Sequence, residues 1–474
     1  MVEYKKHARL PGKLVFIGFG SVGQGALPLL LRHLEIRKDG VLIITADDRG
    51  AAQAAAYGVP YRIQPLTRLN WRELLDEVIE PGDFILNLSV DVSSTALIEY
   101  CLERSVLYLD TCIEPWVGGY TDQSVSAAER TNYALRVKAL ELNAKYGTST
   151  TVVLTHGANP GLVSHFVKQA LVNMARDMGL DTQAPVPVSR EQWARLAERI
   201  GMKVVHIAER DTQHGLPQKR PNEFVNTWSV DGFVGEGCQP SELGWGSHER
   251  HFPSDGVRYD FGPQCAIYLN RPGVSVRVRS WTPLNGSYHG FLITHGESIS
   301  IADYYTVRDG ERIRFRPTVH YAYHPCDAAV LSLHELCGRN YRIQPRQRVL
   351  MDDIQDGTDE LGVLLMGHKR GGYWYGSQLS IAEARELAPY NNATTLQVAA
   401  GVLGAIVWAC ENPRSGVVDP DDMDFARVLE VAKPYLGSLV GVYTDWTPLL
   451  ERGTIFPEDI DASDPWQFKN FRVL

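Results

Sequence analysis

His295-Gly296-Glu297, Glu209, Trp228, Glu236 and Asp359 are the residues whose types and spacing most invite chemistry. An imidazole with an ordinary pKa of about 6.5 can give or take a proton near neutral pH, which makes His295 the best general acid or base by residue type. Glu209 is expected at the end of a strand, Glu236 follows Trp228 closely, and Asp359 and Glu360 come just after Gly357. Carboxylates pair with ammonium groups. An indole face attracts a cation, worth about 2 kcal/mol when desolvated. Acids with a tryptophan therefore suit a cation pocket. The same residue types also make ordinary turn acids and a half-buried core tryptophan, and spacing alone leaves both readings open. No lysine stands out as a Schiff-base nucleophile and no G-x-S-x-G elbow occurs. Thr155-His156-Gly157 lacks the partners a zinc site needs, so no metal is expected.

A second set of residues points to a nucleotide. Leu14-Val15-Phe16-Ile17 reads as a strand running into Gly18-Phe19-Gly20-Ser21-Val22-Gly23, a full G-x-G-x-x-G, with a helix expected over Leu27–Leu34. Gly18 would allow the tight turn, Gly20 the approach of a pyrophosphate, and Gly23 close packing of the helix. The anion would sit on the free N–H groups at the helix start. The next strand, Val41 to Ala46, ends at Asp47, where an acid receives the ribose hydroxyls and favours NAD over NADP. The alternative is a glycine turn that binds nothing. In open α/β sheets ligands lie outside the carboxyl ends of the strands. Gly18, Asp47, Asn87, Asp91, Thr111, Glu114 and Asn159 are thus expected along one rim, with Ser21, Val22 and Ser89 beside the cofactor. Several of these polar ends could equally be helix caps, Asn159 before Pro160 among them.

The elements that must position these groups follow from pattern. Up to about residue 155 the chain reads as strand–helix repeats, the sequence of a doubly wound parallel sheet. Beyond Gly161 strands dominate: 203–208, 223–230 with a hairpin turn at Asp231-Gly232, 265–270, 274–281, 288–294, a continuation over 298–307, and 312–323. Residues 181–188 read as a loop. The expectation is a Rossmann NAD-binding domain (1–158), an α+β substrate domain with a mostly antiparallel sheet (159–390), and a C-terminal helical segment (391–474) that returns to the Rossmann domain. Thr394 to Glu411 is an apolar helix expected to be buried, and its strongly apolar part, Ala399 to Cys410, is too short to span a bilayer. The 474 residues carry a net charge of −9, which argues against nucleic acid or an anionic membrane as the main partner. Seven cysteines without a C-x-x-C fit reduced thiols in a cytoplasm, and the N-terminus lacks a signal peptide's apolar core.

Longer motifs add a resemblance. G-F-G-S-V-G-Q-G at Gly18, N-L-S-V-D at Asn87, Y-L-D-T-C-I-E-P-W at Tyr108, H-G-A-N-P-G-L-V-S at His156, N-T-W-S-V-D-G at Asn226, T-H-G-E at Thr294 and N-A-T-T-L-Q-V at Asn392 span essentially the whole chain. In these the sequence resembles the bacterial homospermidine synthases, relatives of saccharopine dehydrogenase and carboxynorspermidine dehydrogenase. The resemblance implies a redox-neutral aminobutyl transfer with tightly bound NAD. A hydride leaves the amine-bearing carbon of putrescine. A second putrescine displaces ammonia from the imine, and the returned hydride gives homospermidine. Spermidine can also serve as donor, and the assembly is a homodimer. The resemblance further implies that Trp228 makes a cation–π contact. Asp91, Glu114, Asn159, Glu209, Glu236 and Asp359 then supply hydrogen bonds and counter-charge, and His295 with Glu297 takes the ammonium proton. The rival readings are a one-way dehydrogenase of a carboxylated substrate and a non-catalytic NAD sensor.

Overall fold

The computed structural model describes residues 4–37, 39–180 and 186–473, so most of the 181–188 loop and the first three residues lie outside it. The strand–helix repeats build one parallel sheet. Its strands are β1 (Leu14–Ile17), β2 (Val41–Thr45), β3 (Tyr61–Ile63), β4 (Phe84–Asn87), β5 (Leu107–Asp110) and β6 (Thr151–Val153). A seventh strand, Gly416–Val418, comes from far down the chain, and the spatial order is 416–418, β6, β5, β4, β1, β2, β3. The reversal beside β1 is the switch point where a crevice opens at the carboxyl ends of the strands. These strands are short apolar runs because helices cover both faces.

Helix α1 (Ser21–His33) starts six residues earlier than the apolar pattern suggests, directly on Gly20. A single 3-10 turn, Ala128–Arg130, precedes the next long helix. That helix, α2 (Asn132–Tyr146), starts where the Thr131 hydroxyl accepts from Ala134 N–H. Helix α3 (Leu162–Asp177) follows β6.

The second unit is an eleven-stranded mixed sheet. At its centre β7 (Val204–Asp211) lies between β8 (Thr318–His324), its one parallel partner among the described residues, and β9 (Thr358–His368), which is antiparallel. β7 is longer than the 203–208 expectation, so Glu209 lies inside the strand and not at its end. Asp359 likewise lies within β9. One expected turn and one expected strand are helices. Ser229 caps α4 (Val230–Cys238), its hydroxyl accepting from Gly232 N–H, where a hairpin turn was expected. Helix α5 (Gly296–Tyr304) replaces the strand expected over 298–307. It is buried nearly all round, so its Ser-Ile-Ser-Ile alternation carries no helical stripe.

The last segment serves both sheets. Helix α6 (Ala393–Glu411) packs on α1 and on the helix Phe425–Ala432. Residues 416–418 join the parallel sheet, and Ser438–Thr444 extends the mixed one. α6 is the one helix among the described residues long and apolar enough to cross a membrane, longer than the 399–410 stretch suggests, and 89% of that window is buried inside the protein.

Candidate functional site

Register on the mixed sheet gathers the first group of residues. Asp359 stands opposite Asp211, while Leu361 and Tyr323 flank Glu209 on its two sides. Strand residues two apart share a face. Glu209, Asp211, Asp359, Tyr321 and Tyr323 therefore project from the same side of the sheet. Glu209 is 2% exposed, and Asp211 and Asp359 are fully buried. Burial pushes the Glu209 carboxyl up to about 8 against hydrogen bonds from Tyr321 and Asn159 that pull it down. Burial and the neighbouring Glu209 and Asp211 hold Asp359 well above the carboxylate range. Asp211 is satisfied by Gln213 N–H at 2.8 Å and Thr227 Oγ1 at 2.9 Å. Asp359 Oδ2 accepts from Thr394 Oγ1 at 2.5 Å, but its Oδ1 is buried with no partner. Among the described residues no lysine or arginine ion-pairs with any of the three. Arg210 turns away, its guanidinium donating to the Asp211 carbonyl and, at 3.2 Å, to Asp327.

His295 forms the next wall from the N-cap position of α5. Its Nε2 lies 3.1 Å from Glu236 Oε2 on α4, and its Nδ1 lies 3.1 Å from Glu297 Oε1. Burial works against a charged ring, but the two carboxylates outweigh it and hold the imidazolium up to about 10. Beside them the Cys112 thiol sits 3.8 Å from Glu236 Oε1. Burial, reinforced by Glu236, lifts Glu114 to about 8, and its Oε2 has no partner. The Tyr321 ring, 4.3 Å from the His295 ring, joins this wall to the acid face of the sheet. Trp228 is half-buried against Phe233, and its Nε1–H donates to Tyr323 Oη at 3.1 Å.

Asn159 settles its alternative role. Gly161, not Asn159, occupies the cap position of α3. The Asn159 amide donates to Glu209 Oε2 at 2.6 Å and Tyr321 Oη at 2.7 Å, which brings the loop after β6 onto the second sheet.

The remaining expected residues line the strand ends. Gly18 has φ +85°, and a Cβ there would lie 2.8 Å from the Ser89 backbone. Gly20 faces open space within 4 Å, while Gly23 has only 3.0 Å to the Phe19 ring. Ser21 and Val22 start α1, whose N-cap carries no side-chain hydrogen bond and whose first turn has no acid. Asp47 lies two residues beyond the end of β2 and is engaged by Arg49 through N–H at 3.0 Å and Nε at 2.8 Å. Asn87 braces the next loop by accepting from Ser89 Oγ at 2.5 Å. Thr111 borders Gly157, where an added Cβ would lie 3.5 Å from its methyl. Asp91 is exposed at the rim, raised by partial burial and by Asp231.

Thus His295, Glu297, Glu236 and Glu114 form one group, Glu209, Asp359, Asn159 and Trp228 a second, linked by Tyr321. Asp47 and Asp91 stand apart at the rim. Asp211, Tyr321 and Tyr323 were not singled out from sequence. The signal was there in the period-two spacing of E-R-D at 209–211 and Y-A-Y at 321–323.

Comparison with known proteins bears on both units. Residues 14–154 match the saccharopine dehydrogenase NADP binding domain and residues 157–444 the saccharopine dehydrogenase C-terminal domain. The chain is 52% identical to homospermidine synthase of Blastochloris viridis over 479 aligned positions, covering 100% of both chains. It is 49% identical to homospermidine synthase of Mesorhizobium japonicum, covering 98% of this chain and 97% of the relative. The crystal structure of homospermidine synthase from Legionella pneumophila in complex with NAD superposes with a TM-score of 0.92 at 48% identity, covering 98% of each chain.

Proposed function

The chain belongs to the homospermidine synthase family, built from the two domains of saccharopine dehydrogenases, and from that premise we propose that it joins two putrescines into homospermidine with release of one ammonia, using NAD. The observation that carries this reading is the buried trio Glu209, Asp211 and Asp359, with which no lysine or arginine among the described residues forms an ion pair, beside the indole of Trp228. A buried carboxylate without a counter-ion is costly. A substrate ammonium supplies that counter-ion.

The cofactor residues fit the group. Gly20 leaves room for a pyrophosphate, the uncapped start of α1 offers N–H donors, and Asp47 stands where the ribose hydroxyls come. When bound, NAD supplies a hydride acceptor that becomes the donor in the return half of the reaction. The rest falls to side chains. The reacting nitrogen must be neutral before its carbon can lose a hydride, so a proton has to leave an ammonium. In the resting site His295 already carries its proton, held there by Glu236 and Glu297. Glu209, whose carboxyl holds its proton up to about 8 without substrate, gives that proton up when the dication binds and is then the group that can accept one. His295 then serves as the donor that protonates the leaving ammonia. Asp359 and Trp228 hold the distal ammonium, while Glu114, Glu236 and Asp91 draw the dication inward. Spermidine presents the same aminobutyl end and is a second donor.

A carboxylated substrate would call for an arginine fork, and Arg210 points to Asp327 instead. We place the enzyme in the cytoplasm, in keeping with seven free cysteines, and as a homodimer, to be checked by light scattering. The decisive test incubates purified protein with putrescine and trace NAD. Homospermidine and ammonia in equal amounts, without accumulation of NADH, support the reading. Stoichiometric NADH without a polyamine product overturns it.

A further inference from the structure

Two tyrosines stand between the groups just assigned to the diamine. Tyr321 and Tyr323 project from the same face of β8, with ring centroids 5.0 Å apart and planes within 4° of parallel. Both are buried, at 3% and 0% exposure. Each hydroxyl is committed to a different partner. Indole Nε1–H is a donor only, so Tyr323 Oη accepts the 3.1 Å bond from Trp228. Tyr321 Oη accepts from Asn159 at 2.7 Å and donates to Glu209. Phe233 closes the far side, packing on both Trp228 and Tyr323. Trp228 itself lies between the strand Glu223–Asn226 and α4, and its indole is held by packing on Phe233 and by the bond to Tyr323. Glu209 Oε2 is likewise set by the hydroxyl of Tyr321.

We propose that Tyr321 and Tyr323 form a rail that fixes the separation between the Trp228 indole and the Glu209 carboxylate, and so selects the length of the diamine. The inference rests on the reading of Trp228 and Glu209 as diamine contacts. The two tyrosines are positioning residues for those contacts. A diamine bridging an indole face and a carboxylate fits only when its carbon chain matches their separation. One methylene more or less is rejected only if neither end can shift. Hydrogen bonds to one stacked pair on one strand remove that shift. A rigid site discriminates a methylene by roughly 10- to 200-fold.

The test compares kcat/KM for putrescine, 1,3-diaminopropane and 1,5-diaminopentane in the NAD-loaded wild type, Tyr323→Phe and Tyr321→Phe. Homospermidine formation by the wild type first establishes the underlying reading independently of the rail. Tyr323→Phe keeps the ring and is expected to cut the preference for the four-carbon diamine by about 10-fold, with bound NAD unchanged. Tyr321→Phe removes a donor that favours ionised Glu209. It is expected to lose preference and also to move the rising limb of the pH–rate profile to higher pH. If Tyr323→Phe does not fold, Tyr321→Phe must show both effects. Preference retained in every folded variant, or an equal loss for all three diamines, overturns the proposal.

Discussion

The protons held by the site's residues are their measurable property. Glu114 and Glu209 hold theirs up to about 8, against 4.5 for the free side chain, and His295 holds its own up to about 10. A dication among these groups favours every carboxylate in its charged form and disfavours the imidazolium, so all the shifts have one sign. Putrescine binding at pH 7 is expected to release protons. Calorimetric titration in two buffers of different ionisation enthalpy reads their number, and uptake or no change would sink the assignment. Stability follows by linkage. A raised acid pKa contributes stability that is complete below the unfolded value and is lost as pH rises through the folded value. The ligand-free protein therefore weakens between about pH 5 and pH 8, from the cited values. The rise in melting temperature given by putrescine should be larger at pH 8.5 than at pH 6. Trp228→Ala tests the other half of the pocket. Loss of a desolvated cation–π contact costs about 2 kcal/mol, roughly thirty-fold in diamine affinity, with NAD still bound. Parallel loss of NAD would make the tryptophan a structural residue.

Elements decide how such residues come together, and they differ in how plainly the sequence announces them. The parallel sheet was legible because short apolar strands alternate with helices and because Gly18, Gly20 and Gly23 have backbone-specific reasons to be glycine. Helix α4 was not, since V-D-G-F-V-G-E-G-C carries three glycines that read as turns; one of them, Gly237, admits a close neighbour, with Val274 Cγ1 at 2.5 Å from an added Cβ. Helix α5 was hidden by burial on every side. These are the two elements that carry Glu236 and Glu297, so the residue types were readable while their arrangement was not. The two tyrosines went unread because an aromatic pair on a strand looks like core until its hydroxyl partners are known. Helix α6 offers the test at this scale. A Cβ at Gly401 would lie 2.0 Å from the Gly157 carbonyl oxygen, in the loop that carries Asn159. Gly401→Ala must push that loop. It should cost roughly 1–3 kcal/mol as overpacking does and reduce turnover beyond the fraction unfolded. Gly404→Ala on the same helix meets Val428 Cγ1 at 2.9 Å instead. It should lower the melting temperature while leaving kcat of the folded protein unchanged. Equal kcat losses in the two would remove the special role of the loop contact.

Across the whole molecule the site exists only while the two sheets keep their places, and buried polar contacts hold them. Glu242 on the mixed sheet accepts from the N–H groups of Asn132 and Tyr133 at the start of α2, at 3.0 and 3.1 Å, and also from Tyr259 and Thr294. Thr294 immediately precedes His295, so the acceptor at the start of a Rossmann-side helix also anchors the wall that His295 forms. Four residues beyond Asn132, Arg136 of α2 reaches Asp303 near the end of α5 at 3.0 Å and Asp419 beyond the last parallel strand at 2.6 Å. Burial disfavours the charge of Asp303, but Arg136 and Arg190 together keep its carboxyl below the ordinary range. A depressed acid contributes stability that is present at neutral pH and lost as pH falls through its folded value. Arg136→Met keeps the stem and removes the charge. Asp303 retains Arg190 at 2.9 Å, whereas Asp419 loses the one arginine or lysine that ion-pairs with it among the described residues. Breaking a buried pair in this way costs about 3–5 kcal/mol. The loss of melting temperature relative to wild type should be full at pH 7 and shrink only below about pH 4, as pH falls from the ordinary value of Asp303 through its depressed one. Because α2 and α5 are tied by that guanidinium, hydrogen exchange should rise in both helices together while the centre of the parallel sheet stays protected. Faster exchange confined to α2 would mean that the arginine braces its own helix and leaves the relation between the sheets to α6.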